Sequence, residues 1–370
     1  MRPATSAETG FRLEPLDFTD IPGWADDDHR AALIAFRQGA AVLDAHPPKP
    51  RGAGVDPLAL AAIIASAGEM PAADNALARA FFEAEFQPLA VVPTEGNGFF
   101  TGYYEPIVTG SRTRSAAFAT PIYRRPDDLV EIDPDDPPAG IEAGTRFARR
   151  TADGLAPYPD RGAIEAGYLD GRGLELVFLA DPVDAFFIHI QGAARIRLAE
   201  GGEMRITYAA KSGHPYTPIG RVLIERGALP SGGATMATIR GWLAEHPDEA
   251  RAVMATNRSF IFFREAEVDD PALGPVAAAK VPLTPRRSLA VDRLIHTFHM
   301  PVWVDTTLAD GAAFRRLMVA QDTGSAIVGA ARGDIFTGSG EAAGAIAGGL
   351  AARGTFVILA PRRSPAGDEG

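Results

Sequence analysis

QDTGSAIVGAARGDIFTGSGEAAG, residues 321–344, carries the densest chemistry of the chain. Asp322 precedes a run of small residues, and Asp334 stands twelve positions later, ahead of Ile335 and Phe336. Two aspartates at the mouths of neighbouring strands would form a close pair. Like charges at short range raise one pKa, so one carboxyl keeps its proton and can act as an acid. Arg332, two positions before Asp334, opposes this if it points the same way. By spacing alone a plainer reading leads: Asp322 caps a turn and Asp334 begins a strand. Gly338, Gly340 and Gly344 miss the dinucleotide fingerprint by one residue, and residues 345–367 lack the acid that it requires. A turn opening a small-residue helix fits them better.

Outward from this segment, 370 residues imply two domains or three at roughly 100–200 residues each. Apolar residues make up 46% and charged residues 22%, so there is ample surface to bury and disorder is excluded. The 39 glycines and 30 prolines imply many turns, hence many short strands. A net charge of −11 without a basic stripe argues against duplex nucleic acid and anionic membranes as partners. Lysine occurs only at Lys49, Lys211 and Lys280; the other basic residues are arginine. With no cysteine, disulfides, thiolate metal sites and Cys nucleophiles are excluded. MRPATSAETGFRLEPLDF has no apolar h-region, so no signal peptide is expected there. The most apolar stretch, residues 174–190, is broken by Asp181, Pro182 and Asp184, short of the ~18 residues that a bilayer span needs. The chain as written is expected to be soluble.

Residues 1–25 read as an irregular lead-in. Ala32, Leu33, Phe36 and Ala40 recur at helical spacing behind Asp26, Asp27 and Asp28, acids that suit a helix N-terminus. Further helices are expected over 57–67 and 75–86, the latter with Leu77, Phe81 and Phe82 on one side. Strand texture begins near Pro88, over 89–92 and 98–104. Residues 105–175 read mostly as turns, a surface excursion. Strands are expected over 174–179, 185–191, 195–198 and 204–208, and helices over 218–226, 235–244 and 247–256, the last two joined at His246. After Asn257, strands are expected over 259–264, 289–291, 302–304, 316–320, 333–336 and 355–359, with a short helix over 341–352. The order reads as mainly β with N-terminal helices, α+β.

Other constellations weigh less. His296 and His299 form H-x-x-H, but on a strand-like segment they would face opposite ways, against shared metal ligation. No nucleophile elbow opens a Ser–His–Asp triad. YAAKSGHPYTPIGRVLIERG, residues 208–227, mixes Tyr, Lys, Ser and His on a Gly/Pro-shaped turn. Such a mixture suits sugar binding, although alone an ordinary loop is the better reading. In FFTGYYEP, residues 99–106, alternation sets Tyr103 and Tyr104 on opposite faces and leaves one of them exposed.

Together, FTGYYEP (100–106), PIYRRP (121–126), FIHIQGAARI (187–196), residues 208–227, NRSFIFF (257–263), PLTPRRSLAVDR (282–293) and MVAQDTGSAIVGAARGDIFTGSG (318–340) resemble the membrane-bound lytic murein transglycosylase A family. The last two also resemble the three-aspartate domain of other cell-wall proteins. The resemblance overturns the plainer readings of the aspartates and of the 208–227 loop. It implies a discontinuous catalytic domain, 1–103 and 259–370, with N-terminal helices and a double-psi β-barrel. A second β-barrel that binds glycan would be inserted over 104–258, with a groove between the two. The implied reaction cleaves the β-1,4 bond between N-acetylmuramic acid and N-acetylglucosamine of peptidoglycan without water, leaving a 1,6-anhydromuramyl end. One carboxyl suffices, because the substrate's own C6 hydroxyl is the nucleophile.

By this resemblance Asp334 is the acid/base and Asp322 its helper, raising its pKa or orienting it, while Asp292 completes the trio in a structural role. Thr101 and Tyr103 would line the groove from the catalytic domain, and Gln191, Gly192, Lys211, Ser212, Gly213 and Tyr216 from the insert. Lys211 would meet a lactyl or peptide carboxylate. No cofactor and no metal are implied. The implied partners are peptidoglycan glycan strands, with cell-wall synthases as further candidates. The family implies a periplasmic, outer-membrane-associated location, although the lipidated cysteine of its members is missing from this sequence. Ser325 and an extra residue before Gly333 also depart from the family pattern. Two alternatives remain open: a glycan hydrolase using the Asp pair and water, with carboxyls ~6.5–9.5 Å apart if inverting, and a non-catalytic peptidoglycan-binding module.

Overall fold

The computed structural model describes residues 10–362. The chain separates into two units: one runs to Tyr104 and resumes at Pro271, and the other is Glu105–Asp270.

The first unit opens on strand β1 (Phe11–Pro15), within the stretch expected to be irregular; residues 1–9 of that stretch lie outside the described residues. Three helices follow, each started by an aspartate. Asp28 accepts from the Ala31 amide to cap α1 (His29–Arg37), Asp56 caps α2 (Pro57–Glu69), and Asp74 caps α3 (Asn75–Glu85). Pro57 sits at the first turn of α2, where its missing N–H costs nothing. In α3 the buried stripe is Ala78, Phe81 and Phe82, at i, i+3 and i+4, while Leu77 faces solvent, contrary to expectation. Phe36, Phe81, Phe82 and Phe86 pack with ring centroids 5.3–6.4 Å apart and tie α1 and α3 to β2 (Phe86–Pro93). β1 pairs antiparallel with β2, and β3 (Gly98–Glu105) leads out of this segment.

The second unit is built on a six-stranded sheet. Its strands are β4 (Ile107–Ser111), β5 (Thr120–Tyr123), β9 (Glu175–Leu179), β10 (Ala193–Leu198), β11 (Glu203–Lys211) and β12 (Ile261–Ala266), in the order β12-β11-β10-β4-β9-β5. A bridge between Arg124 and Phe263 brings the two edges together. A small sheet of β6 (Leu129–Glu131), β7 (Phe147–Thr151) and β8 (Gly154–Ala156) follows β5, and a helical turn, α4 (Arg161–Ala163), comes next. Residues 105–175 are therefore not a surface excursion. β4 sits inside the sheet, and Tyr123, Leu129, Phe147, Tyr158, Ile164 and Leu169 are buried together. The register sets Arg195 opposite Arg205, a like-charge pair whose repulsion the buried Glu105 carboxylate offsets by accepting from both.

The remaining helices of this unit are α5 (Pro182–Gln191), α6 (Ile219–Glu225), α7 (Met236–Glu245) and α8 (Pro247–Ala255). Residues 185–191 were expected as a strand but belong to α5. Asp181 accepts from Val183 at 2.7 Å, Pro182 fills the first turn, and Gly192, at φ 80°, ends the helix. The expected boundary after residue 258 moves to Asp270, because β12 is hydrogen-bonded to β11 of this unit.

The chain then returns to the first unit with β13 (Ser288–Val291), β14 (Pro301–Thr307), β15 (Ala313–Asp322), β16 (Arg332–Ser339), α9 (Glu341–Gly349) and β17 (Ala351–Pro361). The strand order is β1-β2-β17-β14-β15-β13-β16-β3, and β3 also pairs with β17. The six strands from β17 through β3 thus close into a ring. Closure needs glycine at 354: a Cβ there would lie 2.3 Å from the Asp305 carbonyl oxygen. Leu289, Val291, Val302, Val304, Met318, Ala320, Ile335, Phe356 and Ile358 share one buried face of these strands.

His296 and His299 lie in the turn between β13 and β14, not on a strand. Both are buried, and His296 Nε2 donates to the Ala330 carbonyl at 2.6 Å. Burial pulls both imidazoles down to about 4. Their neutral forms support the fold fully above the unfolded value of about 6.5. That support is lost as pH falls towards the folded value, at roughly 3 kcal/mol per ring. Imidazole ¹⁵N spectra of the native protein should show both rings neutral near pH 5. A charged ring near pH 6 would contradict this.

Candidate active site

Strand β13 organises the site. Ala290 pairs with Asp322 of β15 on one side, across a bulge, and with Asp334 of β16 on the other. The aspartates are therefore not on neighbouring strands but flank one strand. Cross-strand partners share a sheet face, which sets the two Cα atoms ~10 Å apart, twice the strand spacing. Thr101 and Tyr103, two apart on β3, share a face as well. Thr101 donates to Asp334 Oδ1 at 2.5 Å, and the Tyr103 hydroxyl donates to Asp322 Oδ2 at 2.9 Å. Neither tyrosine of the pair is exposed: Tyr104 is buried, and Tyr103 is half-buried with its ring against Phe336.

Burial raises the Asp334 carboxyl above the usual range, opposed by the Arg332 charge and then by the Thr101 hydrogen bond. Burial pushes Asp322 up to about 6, against hydrogen bonds from the Thr323 backbone, Tyr103 and the Ala278 amide, with the Asp334 charge adding to the rise. Tyr103 is held well above its ordinary value by burial and by both aspartates, so its hydroxyl stays a donor. Arg332 does face Asp334, and its Nη2 donates to Thr101 Oγ1 at 2.6 Å. Asp292 is used differently: its oxygens accept from the Leu294 and Gly329 amides, fastening two loops. The Ala278 amide left no sequence signal, because a backbone donor has none. Among the described residues no group of three or more His, Asp or Glu gathers as if for a metal ion.

A model of the MltA specific insert domain matches residues 99–264, and one of the 3D domain matches residues 287–360. The crystal structure of a membrane-bound lytic murein transglycosylase from Agrobacterium tumefaciens is 45% identical, with a TM-score of 0.88 over 95% of this chain and 98% of that one. The chain belongs to the membrane-bound lytic murein transglycosylase A family. Membrane-bound lytic murein transglycosylase A of Escherichia coli (strain K12) is 34% identical over 262 residues, 68% of this chain and 63% of that protein. The match thus spans less than two thirds of that relative's length. The crystal structure of Escherichia coli MltA with bound chitohexaose is 26% identical, with a TM-score of 0.68 and 96% of its chain covered.

Of the residues that the family resemblance assigned to glycan, the first unit brings Thr101 and Tyr103 onto the two aspartates. The others lie in the insert. Gln191 ends α5 and Gly192 caps it; Lys211 ends β11, at the same end of the β10–β11 pair. Ser212 is buried, its hydroxyl accepting from the Phe260 amide at 3.1 Å, so it holds the loop closed. Gly213, at φ 88°, passes so close to the Phe147 carbonyl that a Cβ would sit 2.5 Å from it. Tyr216 is half-buried, and burial raises its hydroxyl.

Proposed function

We propose that the protein is a lytic transglycosylase of peptidoglycan that cleaves the N-acetylmuramic acid–β-1,4–N-acetylglucosamine bond and forms 1,6-anhydromuramyl ends. The observation that carries this reading is the Asp334 carboxyl. Burial favours its neutral form, Thr101 occupies Oδ1, and among the described residues Oδ2 has no protein partner. Neutral Asp334 gives its proton to the glycosidic oxygen as C1 gains oxocarbenium character. Ionised Asp334 then takes the C6 hydroxyl proton as that oxygen attacks C1. Acid–base help of this kind contributes ~10²–10⁴-fold. Asp322 assists, since two carboxyls on one face resist double ionisation.

Family membership and the chitohexaose bound by the Escherichia coli relative support a glycan substrate. In this reading the closed six-stranded ring is the double-psi β-barrel, and the insert binds glycan through Gln191, Gly192, Lys211 and Tyr216, with Lys211 towards a substrate carboxylate. Ser212 and Gly213 shape that loop. In this reading the protein works in the periplasm, against the cell wall, where synthases are candidate partners.

The test is mass spectrometry of muropeptides released from purified sacculi. Products one water lighter than the hydrolytic ones are expected. Reducing ends would make water the nucleophile, and sacculus binding without soluble product would indicate a binding module.

A further inference from the structure

The polarity of the hydrogen bonds around Asp334 is determined by Arg332. A guanidinium has only donors and keeps its charge at any working pH. Its Nη2 donates to Thr101 Oγ1 at 2.6 Å, so the hydroxyl must turn its own hydrogen to Asp334 Oδ1, 2.5 Å away. Arg332 is held for this task. Nη1 donates to the Gly333 carbonyl and, at 3.5 Å, to that of Phe99, and the guanidinium lies over the Phe99 ring with its carbon 5.4 Å from the centroid. Alternation along β16 puts Arg332 and Asp334 on one face. A proton on Oδ1 would collide with the Thr101 hydrogen, so a neutral Asp334 carries its proton on Oδ2.

We propose that Arg332 and Thr101 are a positioning pair that pins the acid proton to Asp334 Oδ2, so that one carboxyl oxygen both gives and receives the proton in the two half-reactions. The use made of that proton rests on the transglycosylase reading; its placement does not. The pair also acts as the proton leaves. Charge then develops on the carboxylate, and the bond from Thr101, backed by the guanidinium, strengthens. The other titratable groups facing Asp334 are Tyr103 from β3 and Asp322 from β15, and neither touches Oδ1.

Two readouts test this, on the full chain with wild type, Thr101→Val, Thr101→Ser, Arg332→Met and Arg332→Lys. The first is the Asp334 titration, followed by carboxyl ¹³C resonances and assigned with Asp334→Asn. Thr101 and Arg332 both favour the ionised form, so Thr101→Val and Arg332→Met should each titrate about one pH unit higher, while Thr101→Ser and Arg332→Lys stay near wild type. The second is turnover on sacculi. Thr101→Val should lower kcat about tenfold at unchanged KM, as for a lost hydrogen bond to a charged group. The alkaline limb of its kcat profile should also move up, and Thr101→Ser should restore both.

An Asp334 titration identical in Thr101→Val and wild type overturns the proposal, as does a raised KM with kcat intact, which would make Thr101 a glycan contact. If Thr101→Val fails to fold, Arg332→Met and Arg332→Lys decide by the same titration. A wild type that releases no anhydro product refutes the reaction and leaves the titration to judge the proton placement.

Discussion

Asp334→Asn protein should release no anhydromuropeptide from sacculi, with turnover down by at least ~10²–10⁴-fold and the fold intact. The amide matches the carboxyl in shape, and its oxygen still accepts from Thr101. What it lacks is a proton that it can give and retake. The β13–β16 pairing opposite Ala290 runs through the backbone and is untouched. The variant should even be more stable near neutral pH. The Asp334 carboxyl is raised in the folded state, so its contribution is full below the unfolded value and is lost as pH rises through the folded one. Ionising this half-buried carboxyl costs more in the folded protein than in the unfolded chain, a cost that the amide never meets. Thermal unfolding and product release on the same sample check both halves. Turnover within tenfold of wild type would move the acid role to Asp322.

The largest loss of stability should come from Asp27→Ala, about 3–5 kcal/mol, far from any reacting atom. Asp27 and Arg287 are bidentate at 2.7 and 2.9 Å, with side chains only 4% and 3% exposed. Asp27 Oδ2 also accepts from the Leu317 amide at 2.8 Å, and Arg287 donates to the Leu317 carbonyl. Truncation strands a buried guanidinium and an amide at once. Arg287 is the residue before β13, the strand that spaces the two aspartates, so the damage reaches the site. Urea unfolding measures the loss, and Asp27→Ala/Arg287→Met should recover part of it, since no unpaired charge then stays buried. A loss below about 1 kcal/mol would mean that water reaches Arg287.

Much was legible along the chain because its cause is local. The three expected N-terminal helices each start on such a cause, since the side chains of Asp28, Asp56 and Asp74 cap amides two or three residues on in the structure. The strands from residue 288 onward show β texture in themselves. Where local pattern misled, burial was the reason. AFFIHI in α5 has no clear period, because Ala185, Phe186, Phe187, Ile188 and His189 are all buried, and an apolar run cannot tell helix from strand. β4 to β8 are short and separated by turns, and the partners of β4 and β5, namely β9 and β10, are distant in sequence.

For the site, the sequence named both aspartates, Thr101 and Tyr103, through the ordered motifs that carry the family resemblance. It also placed Arg332 two residues from Asp334. By itself it determined which residues have carboxyls, which strands exist and where helices begin. Only the tertiary structure decided that Ala290 stands between Asp322 and Asp334, that the hydroxyl of residue 101 meets a carboxyl 233 positions away, and that Arg332 acts on it through that hydroxyl. Alternation along a strand tells which side chains share a face, but not which strand lies beside it. That choice is made when the ring closes and every register is settled together.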